Sequence, residues 1–91
     1  MVARFRIGAA YIGTQTADNS RKKIFQVIGR QEATVSMMVV QVSKVDRPEV
    51  KLCDGKEYAI VRDAAGVDFF VSASVPIDVD AAFAVAEMCK A

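Results

Sequence analysis

The chain has 91 residues, a formal net charge of +1 and no histidine. A chain of this length supports one domain, and its 53% hydrophobic content excludes intrinsic disorder. Fourteen valines and six isoleucines accompany a single leucine, Leu52. Because β-branched residues favour strands more than helices, this composition predicts a mainly β fold and excludes a helical bundle.

The first predicted strand covers residues 4–12, in which two kinds of side chain alternate. This alternation is typical of a half-buried strand with one face on the core. The residues expected on the core face are Phe5, Ile7, Ala9 and Tyr11. Arg4 and Arg6 are expected on the opposite face, and the polar residues 14–21 that follow are predicted to form a loop.

The second and third predicted strands cover residues 22–28 and 33–44. If residues 29–31 form a three-residue loop between them, Phe25 lies opposite Val35. A loop of two or four residues changes this pairing, and the sequence does not decide between these registers.

A second hairpin is predicted around residues 53–55. A two-residue turn at Asp54-Gly55 would place Leu52 opposite Glu57, which sets an apolar side chain against a charged one. A three-residue loop instead places Lys51 opposite Glu57, so that opposite charges meet across the strands. The sequence therefore favours the three-residue loop.

The most regular alternation occurs in residues 67–75. The residues expected on its core face are Val67, Phe69, Val71, Ala73 and Val75. A four-residue loop at 63–66 would place Ile60 opposite Phe69, and would leave Tyr58 with a neighbour on each side. These pairings predict a β-meander in this half of the chain.

Beyond Pro76 the apolar period changes from two to about 3.6 residues, which predicts a helix at residues 79–90. Its apolar positions are Val79, Ala82, Phe83, Ala86 and Cys89. A helix this short is marginal alone, so we expect it to pack on the sheet. The predicted fold is mainly β, or α+β by count. It is one domain at 1–91, with a curled antiparallel sheet or small barrel of about six strands, a β-meander at 4–75, and the C-terminal helix.

The absence of histidine removes the commonest general base and a common metal ligand. Nucleophiles of the Ser-His and Cys-His kinds are therefore excluded. The glycines form no phosphate-binding motif. We predict a protein that is not an enzyme, with no catalytic residue, no cofactor, no metal site and no small-molecule substrate.

Two pairs of aspartates have structural interpretations. Asp78 and Asp80 stand where the predicted helix begins, so helix capping and the helix dipole explain them better than a metal site does. Asp63 and Asp68 lie near one hairpin end. We interpret them as solvated turn carboxylates and not as ligands of a shared cation.

The cysteines, Cys53 and Cys89, are too few to make a zinc site without histidine. We expect free thiols in a reducing cytoplasm, not a disulfide. No apolar run reaches the roughly 18 residues of a transmembrane helix. Gly8 and Tyr11 interrupt the short apolar stretch near the N-terminus, which favours a strand over a signal peptide. The expected location is cytoplasmic, without a membrane partner.

The near-neutral net charge conceals an uneven distribution. Residues 1–45 carry a formal charge of +5 and residues 46–91 carry −4. A basic half of this kind could bind nucleic-acid phosphates, and this is the alternative functional hypothesis. The residues that would make the contacts are Arg4, Arg6, Arg21, Lys22, Lys23 and Arg30.

The preferred hypothesis is a small non-enzymatic binding module that contacts a protein partner or associates with itself. It rests on apolar residues that fall opposite the predicted core positions. These are Ile12, Ile24, Ile28, Met38, Val40 and Phe70. One helix cannot cover all of them, so either the sheet closes into a barrel or a second chain covers the remainder.

Overall fold

The computed structural model describes residues 2–39, 44–74 and 76. Within them, seven antiparallel strands form one sheet that curls into a half-barrel, in the order β4-β3-β2-β1-β7-β6-β5. The strands are β1 (Ala10–Gln15), β2 (Lys22–Gln31), β3 (Thr34–Val39), β4 (Val45–Asp46), β5 (Lys51–Cys53), β6 (Lys56–Arg62) and β7 (Asp68–Ser72). The predicted mainly β, antiparallel and curled architecture is confirmed. The helix predicted at 79–90 lies outside the described residues.

The core fills the concave side of the sheet, where alternate side chains of the strands meet. The largest fully buried side chains are Tyr11, Phe25, Phe69, Met37, Val27, Val35, Val61 and Val71. The predicted alternation is confirmed in β7 and the residue after it, since Phe69, Val71 and the adjacent Ala73 are buried and Phe70 is exposed. Burial of this apolar surface is the main stabilising contribution to the fold.

The strand predicted at residues 4–12 begins later than expected. The chain turns at Ile7 and Gly8, where Gly8 has a φ of 90°, so residues 2–9 form an arm and not a strand. Ala3 bridges to Lys56, Phe5 enters the core, and Ile7 is 65% exposed against the prediction. Strand β1 then extends into residues 14 and 15, which were predicted to be loop. A positive φ at Gly8 breaks the alternation that the sequence suggested.

The β2–β3 hairpin has a longer first strand than the sequence predicts. Strand β2 continues to Gln31, the turn is Glu32-Ala33, and Phe25 lies opposite Val39, so the Val35 pairing is wrong. The register shifts between Val27 and Gly29, which is a β-bulge. The bulge reverses the inward and outward alternation for the remainder of β2.

The long third strand predicted at 33–44 is also wrong. Strand β3 ends at Val39 and pairs antiparallel with β4, with Met37 opposite Asp46 and Met38 opposite Val45. The chain therefore reverses direction between these two strands. Beyond β4 the chain continues alongside β3, where the amide of Val50 donates to the carbonyl of Ala33 at 2.6 Å, and it then enters β5 at the other edge of the sheet.

The β5–β6 hairpin has a two-residue turn, so the predicted three-residue loop is wrong. Leu52 lies opposite Glu57, and both turn residues have positive φ, 53° at Asp54 and 73° at Gly55. Asp-Gly is a favoured pair for such a turn, whose twist matches that of the strands. Cross-strand charge pairing does not decide this register because Glu57 has a different partner, described below.

The β6–β7 connection is one residue longer than predicted. Val61 lies opposite Phe69 and Ile60 opposite Phe70, so the predicted pairing of Ile60 with Phe69 is wrong. The observed register places Val61 and Phe69, both buried, on the same core face. The predicted meander through β5, β6 and β7 is present.

Candidate interaction surfaces

Five of the six basic residues proposed for nucleic-acid contact lie near the two ends of strand β2, and the sixth, Arg6, lies in the N-terminal arm next to the turn at Ile7 and Gly8. Lys22 begins β2 and Arg30 lies near its other end. At about 3.3 Å per residue these two positions are roughly 26 Å apart. Arg21 and Lys23 flank Lys22, whereas Arg4 lines the same cleft as Arg30. The structure therefore separates one basic group from the other along the length of the strand.

Arg30 is held by Glu57 in a bidentate ion pair. Its two terminal nitrogens lie 2.6 Å from the two carboxylate oxygens of Glu57, and the amide of Phe5 donates to the same carboxylate at 2.9 Å. The Arg30 hydrogen bonds hold the pKa of Glu57 below its ordinary value, against the opposing effect of burial. The same bonds raise the pKa of Arg30. Both groups are therefore charged across the ordinary pH range.

The bulge in β2 explains why Arg30 points inward. Without it, Gly29 would follow Phe25 and Val27 on the core face; with it, Arg30 lies opposite the buried Val35. Glu57 reaches the same interior because it alternates in phase with Ala59 and Val61. That phase is visible in the sequence and could have identified Glu57 as inward-facing. Apart from Gly29, no comparable feature of the sequence indicates the bulge.

Lys23 also forms an ion pair with a carboxylate. Its ammonium lies 2.7 Å from Asp63, whose other oxygen accepts hydrogen bonds from the amides of Ala65 and Val67. Burial opposes ionisation of Asp63, but Lys23 and these amides together lower its pKa. Asp63 is thus buried, and its hydrogen bonds to the two amides hold the loop that follows β6. The interpretation of it as a solvated carboxylate is wrong.

The remaining basic residues differ in their partners. Arg21 makes an exposed ion pair with Asp18 at 3.5 Å. Within the described residues, Arg4, Arg6 and Lys22 form no ion pair. Half of the six predicted contact residues are therefore paired with carboxylates, which lowers the positive potential available to a phosphate backbone.

A shallow cleft of about 280 Å³ lies between the β2–β3 turn and strand β5. Its lining residues are Arg4, Arg30, Glu32, Ala33, Val50, Lys51, Leu52 and Glu57. A guanidinium has five N–H donors, and four of those of Arg30 are taken by Glu57, the Phe5 carbonyl and the Glu32 carbonyl. The exposed charged residues left in the lining are Arg4, Glu32 and Lys51.

The outer face of the sheet carries an apolar surface, which we divide into two halves. On the β1–β2 half, Ile12 lies opposite Ile24. On the β6–β7 half, Ile60 lies opposite Phe70, and the rings of Phe70 and Tyr58 stack with centroids 5.4 Å apart. Because directly opposed residues share a face, all five side chains lie on one side of the sheet.

The halves differ in exposure. Ile60 and Phe70 are 44% and 42% exposed on the β6–β7 half. On the β1–β2 half Ile12 is 46% exposed, whereas Ile24 is only 5% exposed. Of the six residues predicted to be surplus to the core, Ile12, Ile28 and Phe70 are exposed, and Met38 is half-buried. Val40 lies outside the described residues.

Other chemistry is sparse in the described part of the chain. Asp68 pairs with Arg62 at 3.1 Å, whereas Asp63 pairs with Lys23. No cluster of three or more potential metal-ligating side chains occurs among these residues. Cys53 is an exposed free thiol. No helix within the same residues has the length and apolar character to cross a membrane.

Comparison with protein-family models, with curated proteins and with solved structures finds no match to this chain.

Proposed function

We propose that this protein is a non-enzymatic binding module that associates with a second copy of itself through the β6–β7 half of its outer face. The observation that carries the proposal is the contiguous apolar group formed by the exposed Ile60 and Phe70 and the half-buried Tyr58. Single exposed apolar side chains are ordinary, but a contiguous apolar group on a regular sheet is typical of interaction surfaces.

The border of this surface favours a second copy as the partner. Arg62 and Asp68 lie opposite each other next to Ile60 and Phe70, and their side chains are 65% and 41% exposed. A two-fold interface brings the same patch of two copies together, so a patch with both charge signs at its border can be self-complementary. Aromatic residues such as Phe70 and Tyr58 are enriched in interfaces of this kind.

Nucleic-acid binding is less well supported by the geometry. The basic residues form two separated groups, and Arg30, Lys23 and Arg21 already pair with carboxylates. The described aromatic side chains on the concave side, including Phe5, Tyr11 and Phe25, are buried and cannot stack on bases.

Sedimentation velocity over a concentration series tests the proposal. We expect the full chain to form a dimer, and the variants Phe70→Ser and Ile60→Ser to weaken it by at least about tenfold because they place hydroxyls in the apolar interface. Leu52→Ser is the matched control, since Leu52 is 62% exposed but lies on β5 away from this surface. A chain that stays monomeric at high concentration contradicts the proposal.

A second measurement tests the alternative function, which is nucleic-acid binding. We expect no shift of nucleic acid by the full chain at low salt. A shift whose affinity falls steeply with salt, and which is lost when Arg4, Arg6 and Lys22 are replaced by alanine, would favour nucleic-acid binding instead.

A further inference from the structure

We infer that residues 79–90 of this chain dock as an amphipathic helix on the β1–β2 half of the outer face. This surface is separate from the β6–β7 half on which the proposed function depends. The segment belongs to the 15 residues, 77–91, that follow the last described position. The sequence predicts a helix there, with an apolar stripe that needs a surface to cover.

The path of the chain brings this segment close to the proposed site. Strand β7 is hydrogen-bonded to β1, and the chain leaves the sheet just beyond Ser72 at the end of β7. In the extension of the β1–β7 register, Ser72 falls opposite Ile12 on the outer face. A short connection through Pro76 therefore suffices to reach the β1–β2 half.

The dimensions of the two elements also match. A helix of twelve residues is about 18 Å long and roughly 10 Å across. Strand β1 has six residues, about 20 Å, and neighbouring strands lie about 4.8 Å apart. One helix thus covers two adjacent strands but not four, which leaves the β6–β7 half exposed.

The chemistry of the β1–β2 half suits such a helix. Ile12 and Ile24 form an apolar pair, and the adjacent Ala10 is small and fully buried. Beside them, Met38 pairs with Gln26, whose side-chain amide donates to the Gly8 carbonyl at 3.3 Å. The helix stripe contains Ala82 and Ala86, whose small side chains permit close approach to the sheet.

The chain carries its own reporter for this docking. Cys89 falls on the apolar stripe of the predicted helix, whereas Cys53 is exposed in β5. If the helix is docked, Cys89 reacts with a thiol reagent only when the segment opens. The reaction rate of Cys89 is then proportional to the population of the open state. We expect Cys89 in the full chain to react at least about tenfold more slowly than Cys53.

Two variants locate the docking surface. Ile12→Ser changes an exposed residue of the β1–β2 half and is expected to accelerate Cys89 while leaving Cys53 unchanged. Ile60→Ser, a similarly exposed residue of the β6–β7 half, is the matched control and is expected to leave both rates unchanged. Methyl NMR spectra of both variants check that the sheet remains folded.

The contradicting outcomes are distinct. Equal rates for Cys89 and Cys53 would overturn the docking, and acceleration of Cys89 by Ile60→Ser but not Ile12→Ser would place the segment on the other half. Sedimentation of the same two variants distinguishes failure of the docking from failure of the proposed dimer. Loss of the dimer in Ile60→Ser alone supports the proposed function whatever the thiol rates show.

Discussion

Arg30 on β2 and Glu57 on β6 form a bidentate ion pair at 2.6 Å, although strands β1 and β7 lie between them in the sheet. Two side chains can meet across two intervening strands only because the sheet is strongly curled. The pair also binds the amide and carbonyl of Phe5, so it ties the N-terminal arm to the same point. It therefore brings β2, β6 and the N-terminal arm together at one point.

Removing one charge of this pair should be strongly destabilising. Glu57→Gln leaves the guanidinium of Arg30, whose side chain is 23% exposed, without its compensating charge. We expect a loss of about 3–5 kcal/mol in the free energy of unfolding, measured by urea denaturation. Glu32→Gln, in the exposed turn next to the cleft, is the control and should change it by less than about 0.5 kcal/mol. Equal effects of the two variants would show that the ion pair does not stabilise the curl.

Stability should also fall in acid. The pKa of Glu57 and the pKa of Asp63 are both lowered in the folded chain, from ordinary values of 4.5 and 3.8. Each carboxylate therefore contributes stability that is fully present above its ordinary pKa and is lost as the pH falls through the folded value. We expect a constant free energy of unfolding near neutral pH and a decline below about pH 4.5.

Asp63→Asn separates the two contributions. The variant should be less stable at neutral pH, because Lys23 loses its carboxylate, and its stability should decline less steeply below about pH 4. Thermal melts at several pH values provide the measurement. An unchanged pH dependence would mean that Asp63 contributes nothing to acid sensitivity.

The sequence predicts the fold best where alternation is uninterrupted. In β7 the inward positions Phe69, Val71 and Ala73 follow from the pattern alone, and the outward Phe70 identifies part of the interaction surface. Alternation specifies a face without reference to distant contacts. For this reason the apolar outer face was predictable even though several strand registers were not.

Elsewhere the phase of the alternation changes within a segment. The turn at Gly8 and the bulge after Val27 each shift it by a local backbone conformation that a period-two pattern does not encode. The partners Arg30 and Glu57 are 27 residues apart, so no local pattern connects them. Pairing of opposite charges across the strands therefore predicts Lys51 opposite Glu57, and with it the wrong hairpin turn.

We predict that position 13 requires glycine, because the ring of Phe25 packs against it. A Cβ atom at Gly13 would lie 2.5 Å from the Phe25 ring, which cannot move easily because it is fully buried. We expect Gly13→Ala to destabilise the fold by about 1–3 kcal/mol through overpacking. Gly29→Ala is the matched control, since its nearest neighbour would be Ser36 at 3.7 Å. Comparable urea midpoints for the two variants would contradict this assignment.

The Asp54-Gly55 turn gives a prediction that distinguishes the observed register from its rival. Both residues have positive φ, so a residue with a Cβ atom is disfavoured at Gly55. We expect Gly55→Ala to cost about 1 kcal/mol, and Asp54→Gly to cost less because glycine tolerates this conformation. Urea denaturation measures both.

In the observed register, the amide protons of Lys51 and Cys53, which face Tyr58 and Lys56, should be protected from hydrogen exchange. Protection of Leu52 alone would instead favour the three-residue loop, in which the pairing moves by one residue.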